Sequence, residues 1–222
     1  MGGRRSRWVL DLSAGQRLEM GRAAMAALAG IHRVDWRSRC GYLGDPVPPE
    51  QEVTRWDRFI DRAAEPELLA DAPTLRRLLL DRMPSAARIG LTHGDFQFTN
   101  LYYSRGGELQ AVLDWELCGI GPTLMDVGWF ATFNDTAAWA HEGAIPEGMA
   151  PAEQLVSMYA DAAGTELGDV AWFRALAAYK FAIITGFNLG LHRREKRPDS
   201  LWERVGTSMG SLQSRARQLL DG

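Results

Sequence analysis

The chain has 222 residues, of which 46% are hydrophobic and 24% charged, and this is the composition of a globular protein with an ample core. Its net charge of −3 and the lack of a dense basic stripe argue against nonspecific nucleic-acid binding, and Cys40 and Cys118 lack the spacing of metal ligands. No apolar leader follows the basic first residues, so we predict one domain over residues 1–222 in the cytoplasm, without a membrane or nucleic-acid partner.

The first 90 residues predict helices. Ser13 and Gln16 form a capping-box pattern ahead of apolar residues that recur on one helical face, which predicts a helix over about residues 14–34. His32, near its end, is predicted to be a packed structural histidine. The same spacing predicts further helices over about residues 49–64 and 74–82.

A group of polar residues follows these helices with a spacing that indicates catalysis. His93, Asp95 and Asn100 form the pattern H-x-D-x-x-x-x-N, and Asp114 follows at the end of an apolar run. The protein-kinase catalytic loop has the same spacing, in which the first aspartate is the base and the asparagine and second aspartate bind magnesium. Carboxylate and amide oxygens are the hard ligands that Mg²⁺ requires. We therefore predict a phosphoryl-transfer site in the catalytic loop, residues 91–116.

A predicted hairpin brings the parts of this site together. Residues 101–104 and 109–113 are short alternating or apolar runs, and the segment between them contains two adjacent glycines. Because a hairpin returns the chain to its starting point, Asn100 and Asp114 should be neighbours.

These residues carry a resemblance to a known family. Residues 93–100 and 113–116 resemble the aminoglycoside phosphotransferase-like family, which includes antibiotic kinases and relatives of choline and homoserine kinases. Residues 121–129 resemble the family's next element, in which an aspartate on a helix, here Asp126, braces the catalytic loop. The resemblance implies that His93 shapes the loop and that Glu116 is either a group behind the metal ligands or a contact to the substrate.

The resemblance also implies a fold and a reaction. The fold is mainly α, in the α+β class: the C-terminal helical lobe of a protein-kinase-like fold with a small β-hairpin at the active site. The reaction is transfer of a phosphoryl group from ATP, or another nucleoside triphosphate, to a hydroxyl of a small molecule, with Mg²⁺ as the cofactor.

The remaining chain is predicted to be helical. Helices are expected over residues 124–130, 151–163, 170–191 and about 199–220, with a loop near the substrate side over residues 134–150. The third of these helices is apolar nearly all round. Because Arg174 and Lys180 interrupt it, we predict a buried central helix and not a membrane span.

The sequence lacks the residues with which kinase-like enzymes hold the nucleotide phosphates. Such enzymes use an N-terminal strand lysine and a glycine-rich loop to hold the nucleotide phosphates. Here the two lysines are Lys180 and Lys196, and no G-x-G-x-x-G precedes residue 93. We therefore predict that the N-terminal nucleotide-covering lobe is missing, which leaves the phosphate-binding residues unassigned.

The missing lobe leaves alternatives to a complete enzyme open. The chain could be an inactive lone lobe that binds a ligand or a partner, or the product of a truncated reading frame. A weaker alternative is a two-metal hydrolase site built on His93, Asp95 and Asp114. The surface that a covering lobe would bury, which we call the inter-lobe face, should be bare at the catalytic loop and around residues 8–10. We expect the chain either to self-associate through this face or to be poorly soluble.

Overall fold

The computed structural model describes residues 7–141 and 148–222, which form ten α-helices and four β-strands within those ranges. The helices are α1 (Ala14–His32), α2 (Trp36–Arg39), α3 (Pro49–Thr54), α4 (Asp57–Ile60), α5 (Ala72–Asp81), α6 (Leu124–Phe133), α7 (Ala152–Ala163), α8 (Val170–Arg193), α9 (Leu201–Gly206) and α10 (Met209–Asp221). The strands are β1 (Ile89–Thr92), β2 (Leu101–Tyr103), β3 (Leu109–Val112) and β4 (Gly119–Pro122). The α+β class predicted from the sequence is confirmed.

The N-terminal helix forms where its capping signal predicts. The Ser13 hydroxyl accepts a hydrogen bond from the Gln16 backbone N–H at 3.2 Å, and the Gln16 side-chain oxygen accepts one from the Ser13 backbone N–H at 3.0 Å. Both bonds satisfy backbone donors that a helix start leaves without partners. Helix α1 then buries one face, including Met25 and Leu28, and packs against α7.

Two short antiparallel strand pairs position the catalytic loop: one pair lies within it, and the other pair flanks it. The predicted hairpin is present as β2 and β3, and Leu101 pairs with Val112. A second pair, β1 with β4, was not predicted from the sequence. Its strands contain three glycines and a proline, which are poor strand formers, and 26 residues separate them. The chain enters the loop from β1 and leaves through β4.

Helix α8 is the centre of the larger core. It packs against α6 on one side and α10 on another. At Gly128 on α6, a Cβ atom would lie 2.5 Å from the carbonyl oxygen of Phe173, so glycine is what permits the close approach of the two helices. Helix α8 has the length and hydropathy of a membrane-crossing helix, but most of it is buried inside the protein, as predicted for a central helix.

Two predicted helices are each divided in two. The prediction over 49–64 becomes α3 and α4, and the one over 199–220 becomes α9 and α10. In both cases a threonine hydroxyl bonds a backbone carbonyl just before the break: Thr54 bonds Glu50, and Thr207 bonds Arg204. Such local bonds compete with helix geometry and often bend helices.

The N-terminal segment differs from the expected bare surface. Leu10 is 58% exposed, but Trp8 and Val9 are half-buried and pack against the core beside α1. Among residues 7–88 the structure has helices and no strand. The predicted loop over 134–150 lies partly outside the described residues.

Candidate active site

Asp126 anchors the backbone at the start of the catalytic loop. One carboxylate oxygen of Asp126 accepts a hydrogen bond from the backbone N–H of His93 at 2.7 Å, and the other accepts one from Gly94 at 2.9 Å. The Asp126 residue is only 1% exposed, so both bonds form away from water. Hydrogen bonds to an ionised acceptor are about twice as strong as neutral ones. This geometry fits the bracing role that the resemblance implied for Asp126.

A histidine and a tyrosine support Asp126 in turn. Nε2 of His32 lies 3.1 Å from an Asp126 oxygen, and its Nδ1 lies 2.7 Å from the Tyr159 hydroxyl. A neutral imidazole satisfies both contacts when Nε2–H donates to Asp126 and Nδ1 accepts from Tyr159. Burial raises the pKa of Tyr159, which keeps its hydroxyl protonated and available as that donor. His32 is therefore buried, as predicted, but it also belongs to the support of the loop.

His93 and Gly94 give the loop its shape. The His93 side chain is fully buried, and its Nε2–H donates to the Leu113 carbonyl at 2.9 Å, which ties the two ends of the loop together. Gly94 has φ +85°, and a Cβ atom there would lie 2.2 Å from the Leu117 carbonyl oxygen. Only glycine fits this backbone conformation and this space.

The Asp95 carboxylate is fixed in orientation by three side-chain donors. Gln97 donates to both of its oxygens at 2.8 and 2.9 Å, and the Asn100 amide donates to one of them at 3.0 Å. The indole N–H of Trp129 donates to the other at 2.8 Å. These bonds fix the direction of the carboxylate, and a general base must be oriented toward the proton that it takes.

The hairpin places Asn100 and Asp114 at adjacent ends of paired strands, as the sequence predicted. The backbone N–H of Leu113 donates to the Asn100 carbonyl at 2.8 Å, and Asp114 is the next residue. Asp114 is exposed and has φ +63°, a left-handed conformation that is uncommon outside glycine. Non-glycine residues in this region cluster at functional sites.

The oxygen ligands available here fit magnesium. The Asn100 side-chain nitrogen donates to Asp95, which leaves its oxygen for another partner, and the exposed Asp114 follows Leu113, whose N–H bonds the Asn100 carbonyl. Within the described residues there is no cluster of three or more His, Cys, Asp or Glu side chains able to hold a metal. Mg²⁺ suits such a sparse set because it usually takes one or two protein oxygens and completes its shell with phosphates and water.

Glu116 does not join this group directly. Its carboxylate is exposed and makes no hydrogen bond within the described part of the chain. Its assignment as a group behind the metal ligands or a substrate contact stays a prediction.

Several side chains beside the loop were not singled out from the sequence. Gln97 and Trp129 both contact Asp95, and Lys180 lies 5.5 Å from the centre of the Trp129 ring. Lys180 also forms a buried ion pair with Glu52 at 3.1 Å. The sequence did offer one indication that Trp129 lies near the catalytic loop. Trp129 follows Asp126 by three residues, so both side chains lie on the same face of a helix.

A surface pocket opens on the outer side of α3 and α4. Asp57 is neutralised there, because the Arg76 guanidinium donates to both of its carboxylate oxygens at 2.9–3.0 Å. Arg58 packs over the Phe59 ring and has no acidic partner among the described residues. The pocket is lined by Val47, Gln51, Thr54, Arg55, Asp57 and Arg58.

Comparison with curated proteins gives relatives that are much longer than this chain. The chain is 28% identical over 187 residues to acyl-CoA dehydrogenase family member 11 of Gallus gallus, a match that covers 77% of this chain and 23% of that protein. The human protein of the same name matches at 28% identity over 197 residues. The chain thus spans about a quarter of the length of these relatives.

Comparison with solved structures supports the fold. A candidate aminoglycoside phosphotransferase from Ralstonia eutropha has a TM-score of 0.79 at 18% identity, over 95% of this chain and 67% of that one. A choline/ethanolamine kinase family protein from Mesorhizobium loti has a TM-score of 0.58 at 15% identity, over 93% of this chain and 68% of that one. Residues 2–176 match the phosphotransferase enzyme family, APH. The chain therefore belongs to the phosphotransferase enzyme family, as its catalytic-loop residues indicated.

Proposed function

We propose that the protein transfers the γ-phosphoryl group of ATP, or of another nucleoside triphosphate, to a hydroxyl of a small molecule. The observation that carries this proposal is the arrangement around Asp95. Asn100 donates to the oriented Asp95 carboxylate, and the hairpin returns the chain so that Asp114 follows the residue bonded to the Asn100 carbonyl. Phosphoryl transfer needs little covalent chemistry from a protein and depends on positioning and electrostatics.

In the proposed reaction, Asp95 orients the acceptor hydroxyl and takes its proton. The acceptor oxygen forms a bond to the γ-phosphorus, the bond from that phosphorus to the β–γ bridging oxygen breaks, and ADP leaves with the negative charge. The proton from the hydroxyl ends on the Asp95 carboxylate. Gln97 and Trp129 fix the orientation of this carboxylate, because both donate hydrogen bonds to its oxygens.

Asn100 and Asp114 are the residues that would hold Mg²⁺. When bound, the ion supplies positive charge at the phosphate oxygens. Asp114 has a left-handed backbone two residues after the end of β3, and it follows Leu113, whose backbone N–H bonds the Asn100 carbonyl.

The proposal is tested by incubating the protein with γ-labelled ATP, Mg²⁺ and separate panels of cationic, neutral and anionic alcohols. We expect label to appear in an organic phosphate ester in one panel, and to disappear on chelation of Mg²⁺. The Asp95→Asn variant is nearly isosteric and removes the base, which is worth about 10²–10⁴-fold. The control is Asp161→Asn, which changes an exposed aspartate on α7. Transfer at an equal rate in both variants would exclude Asp95 as the base.

A second candidate function is that of a ligand-binding lobe without turnover. Two observations favour it: residues 7–88 contain no strand in the structure, and no lysine precedes Lys180. It predicts that saturating MgATP or an acceptor raises the melting temperature while no panel receives label. A binding-dependent rise in melting temperature together with label transfer would favour the enzyme.

A further inference from the structure

Trp129 connects Asp95, the proposed base, to the helical core. It lies on α6, one turn after Asp126, so one helix both anchors the backbone of the catalytic loop and contacts the Asp95 carboxylate. The indole N–H can only donate, and at 2.8 Å its bond to an Asp95 oxygen is at the short, strong end of the range. Trp129 is therefore one of the three side-chain donors that set the direction of that carboxylate, with Gln97 and Asn100.

The Trp129 ring is held by aromatic packing. It stacks on Phe181 with a centroid distance of 3.9 Å and an angle of 12° between the planes. Phe133 meets it edge-on at 5.8 Å. Phe181 belongs to α8, so the central helix supports the ring from the core side.

A buried cation lies between two indole rings. The Lys180 ammonium is 5.5 Å from the Trp129 ring centre and 5.3 Å from that of Trp56. Attraction between a cation and an aromatic face is stronger where water is excluded, and Lys180 is 9% exposed. Lys180 and Phe181, adjacent on α8, thus both contact the Trp129 ring.

The Lys180 ammonium is itself fixed by Glu52. Lys180 donates to one Glu52 oxygen at 3.1 Å, and Arg55 donates to the other at 2.7 Å. Glu52 is 5% exposed, so this pair links α3 to α8 inside the protein. A buried ion pair adds little net stability compared with apolar residues of the same size, and this pair lies against the ring of Trp129, which contacts Asp95.

We propose that Trp129 is a positioning residue for the Asp95 carboxylate, and that the buried Lys180–Glu52 pair positions Trp129. This inference rests on the proposed function for its catalytic consequence. Its structural content is a chain of contacts from Glu52 through Lys180 and Trp129 to Asp95.

The catalytic consequence is tested with Trp129→Phe, which keeps a ring for packing and removes the donor. We expect kcat to fall about 10- to 100-fold, because a misdirected reacting group costs up to about this factor, with the KM for the nucleotide within about twofold of wild type. The matched control is Trp139→Phe. Trp139 also packs near Phe181 and donates at 2.8 Å, but to the Thr132 backbone carbonyl. An equal loss of kcat in both variants, or no loss with Trp129→Phe, would overturn the role of Trp129.

The role of Lys180 is tested with Lys180→Met and Lys180→Arg. We expect a fall in kcat with methionine and recovery of most of it with arginine, which keeps the cation. Because methionine leaves Glu52 with one partner fewer, the double variant Glu52→Gln/Lys180→Met removes both charges and guards against unfolding. If a folded double variant has wild-type kcat, the ion pair does not position Trp129.

A spectroscopic measurement decides the structural part independently of turnover. The indole N–H resonance of Trp129 is identified in a ¹H–¹⁵N spectrum by its absence in Trp129→Phe. We expect it to move in Asp95→Asn and in Lys180→Met, while the Trp139 resonance stays in place. A Trp129 resonance that is unchanged in both variants would overturn the inference. If no acceptor receives phosphate but the Trp129 resonance moves as expected, the proposed function fails while the contact chain stands.

Discussion

Asp126 offers a sharp test of how the catalytic loop is held. Replacing it with asparagine keeps its shape but removes the charge and turns one acceptor oxygen into a donor nitrogen. Two backbone donors, those of His93 and Gly94, point at the carboxylate, and His32 contacts it as well. One of the two backbone N–H groups must then lose its acceptor.

The cost can be estimated from the burial of the site. Leaving a buried donor without a partner costs about 1–3 kcal/mol, and a hydrogen bond to a charged acceptor contributes about 1.5–3 kcal/mol. We therefore expect Asp126→Asn to lower the free energy of unfolding by about 3 kcal/mol. An exposed substitution away from such features changes it by about 0.5 kcal/mol or less, so Asp161→Asn on α7 serves as the control.

Urea denaturation of the two variants and the wild type measures this difference. Amide hydrogen exchange adds a local measurement. The oxygen that faces His93 also contacts His32, so the asparagine oxygen should take that side, and the Gly94 amide should exchange faster because it loses its acceptor. The reasoning would be refuted if Asp126→Asn matched the Asp161→Asn control in stability and left exchange at Gly94 unchanged.

Three further predictions concern charge, backbone and surface. Burial would raise the pKa of Glu52, but the Lys180 and Arg55 cations lower this pKa below its usual value, so the stability that Glu52 contributes is complete above about pH 4.5 and is lost as the pH falls through the folded pKa. The free energy of unfolding should therefore depend less steeply on pH below about pH 4.5 in Glu52→Gln than in the wild type. An equally steep dependence in both proteins would contradict this. Gly94→Ala should disrupt the loop through contact with the Leu117 carbonyl and abolish transfer, and an active, equally stable variant would count against the geometry. Tyr102 and Leu117 are each 60% exposed beside the loop and should promote self-association of the chain. Light scattering should show less self-association for Leu117→Lys than for the wild type. A wild type that is strictly monomeric at high concentration would exclude this prediction.

The sequence predicted the catalytic loop well because its geometry is local. The spacing from His93 to Asn100 and the short hairpin before Asp114 are contained in 22 residues, and turn residues determine how such a hairpin closes. The structure brings Asn100 and Asp114 together through one backbone bond from Leu113. The catalytic and metal-binding roles of these residues remain predictions.

The residues that escaped prediction depend on distant parts of the chain. Lys180 is 128 residues from Glu52, and Trp129 is 34 residues from Asp95. In the sequence, Lys180 interrupts an apolar helix and Glu52 belongs to a short amphipathic one, so neither position indicates a partner. The β1–β4 pair was missed for a related reason, since its glycine-containing strands are stabilised by the loop that they enclose.

The central claim is that this chain transfers a phosphoryl group between molecules, with Asp95 as the base. Phosphorus NMR of MgATP with the protein and the mixed alcohol panels follows every phosphorus product at once. We expect ADP and a phosphate ester in equal amounts, and neither product above background in the Asp95→Asn variant. Release of inorganic phosphate in place of an ester would indicate a hydrolase, and formation of the ester by Asp95→Asn at the wild-type rate would contradict the role of Asp95.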